Sequence, residues 1–134
     1  MPPGKLVGHE ETLARFVVFS DWVNKNGEAK VALFLPDPSR TVSVYRIDGL
    51  KKARIKALNN AVDMARRGKL VNHGLCPLNA SQVLARGFGL DPNKEPEYHT
   101  NIEGFGPTAT KEADRAKALL LVQIAGKQTT NHLK

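Results

Sequence analysis

Residues 41–68 read TVSVYRIDGLKKARIKALNNAVDMARRG, and a change of period inside this stretch decides the fold. Thr41 to Ile47 alternates. Val42, Val44 and Arg46 fall on one face, and Ser43, Tyr45 and Ile47 on the other, as in a strand. Past Leu50 the apolar repeat lengthens to Ile55, Leu58, Val62 and Ala65, the stripe of a helix running from about Leu50 to Arg67. Asp48 is placed to cap its start and Gly68 to stop it. Lys52, Lys56, Arg66 and Arg67 lie on another side of this helix, with Asn59, Asn60 and Asp63.

Upstream, Leu13–Val23 and Ala29–Leu35 are β-like runs separated by Asn24-Lys25-Asn26-Gly27, which favours a hairpin. With Thr41–Ile47 they predict an N-terminal three-stranded antiparallel meander. Downstream, Asn79 and Gln82 mark the start of a short helix ended by Gly87. Phe88–Leu90 and Tyr98–Ile102 read as short strands, and Asp91–Pro96 as a loop because of its two prolines. A C-terminal packing helix is expected over 108–125, capped by Thr108 and buried through Leu119, Leu120, Leu121, Val122 and Ile124. The expectation is a single α+β domain over residues 12–126, with a flexible arm at 1–11 and a frayed tail at 127–134.

Length and composition suit a soluble globular domain: 134 residues, 41% hydrophobic. The longest apolar run, Ala118–Val122, is far too short to span a membrane, the N-terminus carries no signal-peptide core, and the lone Cys76 excludes an intrachain disulfide. These features favour a cytoplasmic, prokaryotic or phage-infected setting without membrane association.

Charge is concentrated. Eight of the 20 Lys and Arg residues lie between Arg46 and Lys69, against only Asp48 and Asp63, which places six of the seven net positive charges there. Such a segment attracts a polyanion whether or not it reads bases, and no base-reading motif is present. Lys52, Lys56, Arg66 and Arg67 are the candidate phosphate contacts; a plain solvated helix face is the competing reading. The connection 68–78 is too long for a helix-turn-helix.

A second candidate site joins Arg46 to residues 98–107. His99 can exchange protons near neutrality, and Arg46 can grip a phosphate with paired donors. Ser43 and Asn101 can add neutral hydrogen bonds, while Gly104 and Gly106 allow close backbone approach. His73 and Cys76 form an isolated ligand pair without the further ligands a zinc site needs, so neither metal nor cofactor is expected. Trp22 and Phe16, Phe19 and Phe34 read as core rather than as a stacking platform.

The segments Arg15-Phe16, Phe34-Leu35-Pro36, Ser43-Val44-Tyr45-Arg46, Gly74-Leu75 and His99–Phe105 resemble a group of small prokaryotic proteins that carry an S-V-x-R strand and an H-x-N-I-x-G segment. The likeness spans about residues 12–126 and implies that Ser43, Arg46, His99 and Asn101 are the better site candidates. No activity comes with it, and Phe105 stands where that group often has Trp.

Three functions follow as expectations. The first is a nucleic-acid- or polyanion-associated accessory protein, in a phage-host conflict setting. The second is a small metal-independent enzyme acting on a phosphate-containing nucleotide or RNA through Arg46 and His99. The third is an interaction module whose basic face meets an acidic protein.

Overall fold

The alternating segment does form a strand, β2 (Val42–Arg46), and it lies at the centre of an antiparallel sheet of five strands. The computed structural model describes residues 7–92, 98–107 and 110–134. The other strands are β1 (Thr12–Phe16), β3 (Leu75–Asn79), β4 (Gly89–Pro92) and β5 (His99–Glu103), in the order β3-β1-β2-β5-β4. Among the described residues three α-helices accompany them: α1 (Lys52–Arg67), α2 (Ala80–Ala85) and α3 (Lys111–Val122). The class is α+β.

Alternation divides the side chains between two layers. Leu13, Val42, Val44, Cys76, Leu78 and Ile102 face the main core, where they meet Leu33, Phe34, Val83, Phe105, Ala118 and Leu121. Ala14, Phe16 and Leu75 face the other way and pack with Tyr45, Ile55, Leu58 and Val62 beneath α1.

The expected meander is replaced by a different path. Val23 and Ala29 form a single bridge around the Asn24 turn, whose side-chain oxygen accepts from the Asn26 and Glu28 N–H groups. Val31–Phe34 is then a 3-10 turn, not a strand. Adjacent Leu33 and Phe34 are both fully buried in one core, whereas a strand would send them to opposite faces. The neighbours of β1 are therefore β2 and β3.

Local signals held where the partner is local. Gly68 ends α1 in the left-handed conformation (φ 68°), and Asn79 caps α2 by accepting from the Gln82 N–H. Asp48 does not cap α1. Its carboxylate accepts from Thr12 N at 3.0 Å and ties the lead-in of the helix to β1, while Lys51 occupies the cap position without a side-chain bond.

The buried side of α1 is polar. Asn59 and Asp63 are fully buried, whereas Ile55, Leu58 and Val62 are half-buried and Ala65 is exposed. Partners are supplied for part of this polarity: Asp63 Oδ2 accepts from Val71 N and Asn72 N, both at 3.0 Å, and His132 Nε2 lies 2.8 Å from Asn59 Oδ1, while Asn59 Nδ2 and Asp63 Oδ1 have no partner among the described residues.

His132 belongs to the segment expected to fray. Instead Thr129 exchanges hydrogen bonds with Leu75, Gly126 N donates to Pro77 O, and a 3-10 turn over Asn131–Leu133 buries His132 against α1. Gly74 is required for this closure: a Cβ there would lie 2.2 Å from Thr129 O.

At the other end Glu11 is buried, so the expected arm is structured by that point, and residues 1–6 lie outside the described residues. Asp91 and Pro92 belong to β4 rather than to a loop, while 93–96 lie outside the described residues. Thr110 caps α3 by accepting from Ala113 N; Thr108 lies outside the described residues. The helix ends at Val122 and buries only Ala118 and Leu121, because it packs one face on the core and leaves Leu119 45% exposed.

Candidate anion-binding cleft

The register pairs of β1 with β2 are Leu13–Arg46 and Ala14–Tyr45. Beyond them β1 stays paired with β3 through Arg15–Cys76 and Phe16–Leu75. The Arg15 guanidinium takes over the link to β2: Nη1 donates to Ser43 O at 2.9 Å and Nε to Leu33 O at 2.8 Å. Arg15 is 8% exposed. Burial, reinforced by the charge of Arg66, lowers its pKa to about 10 against the opposing pull of Asp37 and Tyr45. No carboxylate makes a salt bridge to it among the described residues.

Trp22 organises the surroundings. Its backbone N–H donates to Phe19 O and its carbonyl accepts from Lys30 N, which fixes the turn at Ser20–Trp22. Arg15 lies 4.9 Å and Arg66 5.6 Å from the centroid of the indole's ring, so two cations share one aromatic group. Arg67 repeats the motif over Phe19 at 4.6 Å and donates to Val18 O.

Two adjoining hollows meet at Arg15, Ser43 and Arg66. One, of about 110 Å³, lies between α1 and the sheet and is walled by Phe16, Tyr45, Val62 and Ala65. The other, of about 240 Å³, opens toward Trp22, Pro36, Asp37 and Thr41. Asp37 is occupied with its own turn, accepting from Ser39 N and Oγ.

The candidate phosphate contacts on α1 are placed differently from expectation. They share the helix side of Asn59 and Asp63, which is the buried side, and so emerge at its two ends. Lys52 and Lys56 are exposed near the start, and Arg66 is exposed and Arg67 half-buried near the finish. The outward face carries Ala53, Arg54, Ala57, Ala61 and Met64. From Lys56 to Arg66 the rise is about 15 Å, so the basic surface forms two patches. None of Lys52, Lys56, Arg66 and Arg67 is in an ion pair among the described residues. Both acids of the segment, Asp48 and Asp63, are engaged by backbone N–H groups.

Of the second candidate site, the sheet gathers part. Ser43 pairs with Asn101 and Tyr45 with His99, which puts Ser43, Asn101 and His99 on the α1 side of the sheet. Arg46 is excluded, because alternation sends its side chain to the opposite face. There Nε meets Glu11 Oε1 at 3.0 Å and Nη2 meets Oε2 at 2.9 Å, with Arg46 only 1% exposed. Burial would raise the pKa of Glu11, but the Arg46 hydrogen bond, the Gly8 N–H and the guanidinium charge together hold it below the ordinary value.

His99 is nearly buried, 5.3 Å edge-on from Tyr45, and its Nδ1 has no partner among the described residues. Burial lowers its pKa against the weaker pull of Asp37 and Asp91. Gly104 and Gly106 serve elsewhere, their carbonyls accepting from Lys117 Nζ and Arg40 Nε. Cys76 is wholly buried, with its thiol pKa pushed up to about 11, and no cluster of three metal-ligating side chains occurs among the described residues. No helix among them is long and apolar enough to cross a membrane.

The sequence reading missed Arg15 and Trp22 as site residues. The signal for Arg15 was a lone charge inside the apolar run Leu13–Phe19, on the side shared with Leu13 and Val17. Compared with known proteins, the chain matches no family model, no curated protein and no solved structure.

Proposed function

We propose that the protein is a polyanion-binding accessory protein that contacts the phosphates of nucleic acid, acting in the cytoplasm and in a phage-host conflict setting. The observation that carries this reading is the charge arrangement around α1. Lys52, Lys56, Arg66 and Arg67 lack ion pairs among the described residues, while Asp48 and Asp63 accept backbone hydrogen bonds. Cations left uncompensated gain counterion-release free energy when they meet phosphates. Recognition would follow backbone and shape, with patches about 15 Å apart touching separate stretches of one strand or duplex.

The enzyme reading loses its clamp, since Arg46 is committed to Glu11. An acidic protein partner would use the same patches. The test is retention on mixed-sequence DNA and RNA across a salt series, for the native chain and for a Lys52→Gln, Lys56→Gln, Arg66→Gln triple variant. The triple variant should bind more weakly, with the slope of log K against log salt reduced by about 2–3 if each cation meets one phosphate. An unchanged slope rejects α1 as the contact surface. Absence of salt-sensitive retention in the native chain favours the acidic protein partner.

A further inference from the structure

Arg15 and Arg66 are an unusual pair. Both sit on Trp22 and both line the junction of the two hollows, yet neither meets a carboxylate in ion-pair range among the described residues. Two guanidinium groups converging on one space repel each other; burial chiefly, and the charge of Arg66 in addition, lower the pKa of Arg15. The indole offsets part of the repulsion by cation–π attraction and holds both side chains in place. Asp37 lines the second hollow, but its carboxylate is committed to the Ser39 turn and makes no ion pair with either guanidinium.

We propose that this junction seats one phosphate group of a nucleotide, with the nucleotide's ring system lying in the hollow between Phe16, Tyr45 and Val62. The ligand's class rests on the polyanion reading above; the seat rests on its own geometry. A phosphomonoester suits it better than a carboxylate or a backbone diester, because a monoester carries close to two negative charges at neutral pH and two guanidinium groups face it. Planar forks also match phosphate oxygens with paired donors, which an ammonium does not. The adjoining wall of Phe16, Val62 and Ala65 is apolar and Tyr45 lends it an aromatic edge, so it offers nothing to a second charged group but can cover a flat ring.

The experiment titrates the full chain at physiological salt with AMP, adenosine, inorganic phosphate and a mixed-sequence oligonucleotide, following calorimetry and the Trp22 indole N–H resonance. AMP should bind and shift the indole signal, with adenosine and phosphate each at least tenfold weaker. Arg66→Gln, an exposed substitution, should weaken AMP binding at least tenfold without changing the melting temperature. Arg15→Lys should weaken AMP binding by a similar factor and, because Arg15 ties β1 to β2, also lower the melting temperature, so a melting curve separates lost binding from lost folding. Lys52→Gln with Lys56→Gln should leave AMP affinity within twofold.

Failure of AMP to bind, or adenosine binding equally well, overturns the seat. Phosphate binding as tightly as AMP overturns the ring contact and with it the nucleotide. Salt-sensitive oligonucleotide binding without AMP binding sinks this inference and leaves the function above standing. AMP binding without oligonucleotide binding does the reverse.

Discussion

Arg46 and Arg15 are both buried arginines on the central strands of one sheet, and they have opposite surroundings. Arg46 is closed: its fork meets both oxygens of Glu11, and the pair is nearly inaccessible. Arg15 is open: its donors reach only carbonyls, and another guanidinium shares its aromatic neighbour. A buried charge that meets its counter-charge within the chain belongs to the architecture. One that meets only neutral oxygens and makes no ion pair among the described residues is a candidate for holding an anion.

The largest test of this contrast strikes the closed end. Glu11→Gln leaves Arg46 buried without its counter-charge and should cost about 3–5 kcal/mol in denaturant unfolding. A loss under about 1 kcal/mol, the worth of an exposed pair, would erase the distinction between the two arginines.

Acid separates the ends next. Glu11 has a folded pKa below its unfolded value, so its contribution is intact above the ordinary carboxylate range and is lost as pH falls through the folded value. His99 and His132 also have lowered folded values, chiefly through burial. The unfolded chain then binds more protons as pH falls below about 6.5, and stability should decline from there until the folded values are passed. Stability measured from pH 7.5 to 5 should therefore fall, and His132→Gln should reduce that slope. A flat profile would show that neither histidine is held neutral.

The smallest expected effect is on the stability of the open end. Arg66→Gln should stay within about 0.5 kcal/mol of the native chain in the same unfolding assay, as for an ordinary surface position. A larger loss would make Arg66 a structural residue like Arg46 and weaken the case for the cleft.

Much of the fold was legible because its signals are short-range. The alternation of β2, the left-handed stop at Gly68 and the Asn79 cap each depend on a few adjacent residues. The errors share the opposite property. Asn59 is buried because of His132, and Asp48 is drawn from its cap position by Thr12. Val31–Phe34 coils because Leu33 and Phe34 must enter the same core.

The site divides in the same way. Strand register brings Ser43, Asn101 and His99 together on one side, without Arg46. Arg46 was misassigned although alternation already grouped it with Val42 and Val44, because nothing near it in sequence announced Glu11. Arg15 was passed over because the loop carbonyl that receives it, Leu33 O, lies in a turn that read as a strand.

The bridge from Thr129 to Leu75 has a consequence for association between copies. β3 lies at one margin of the sheet, where free N–H and C=O groups would form a template for another chain. Here the N–H and C=O of Leu75 are taken by Thr129, Pro77 has no N–H to offer, and its carbonyl is taken by Gly126. Residues 126–129 thus act as a sealing strip along that margin. Removing them would uncover a sticky border, so the damage would show as concentration-dependent clumping before it showed as a lower melting temperature.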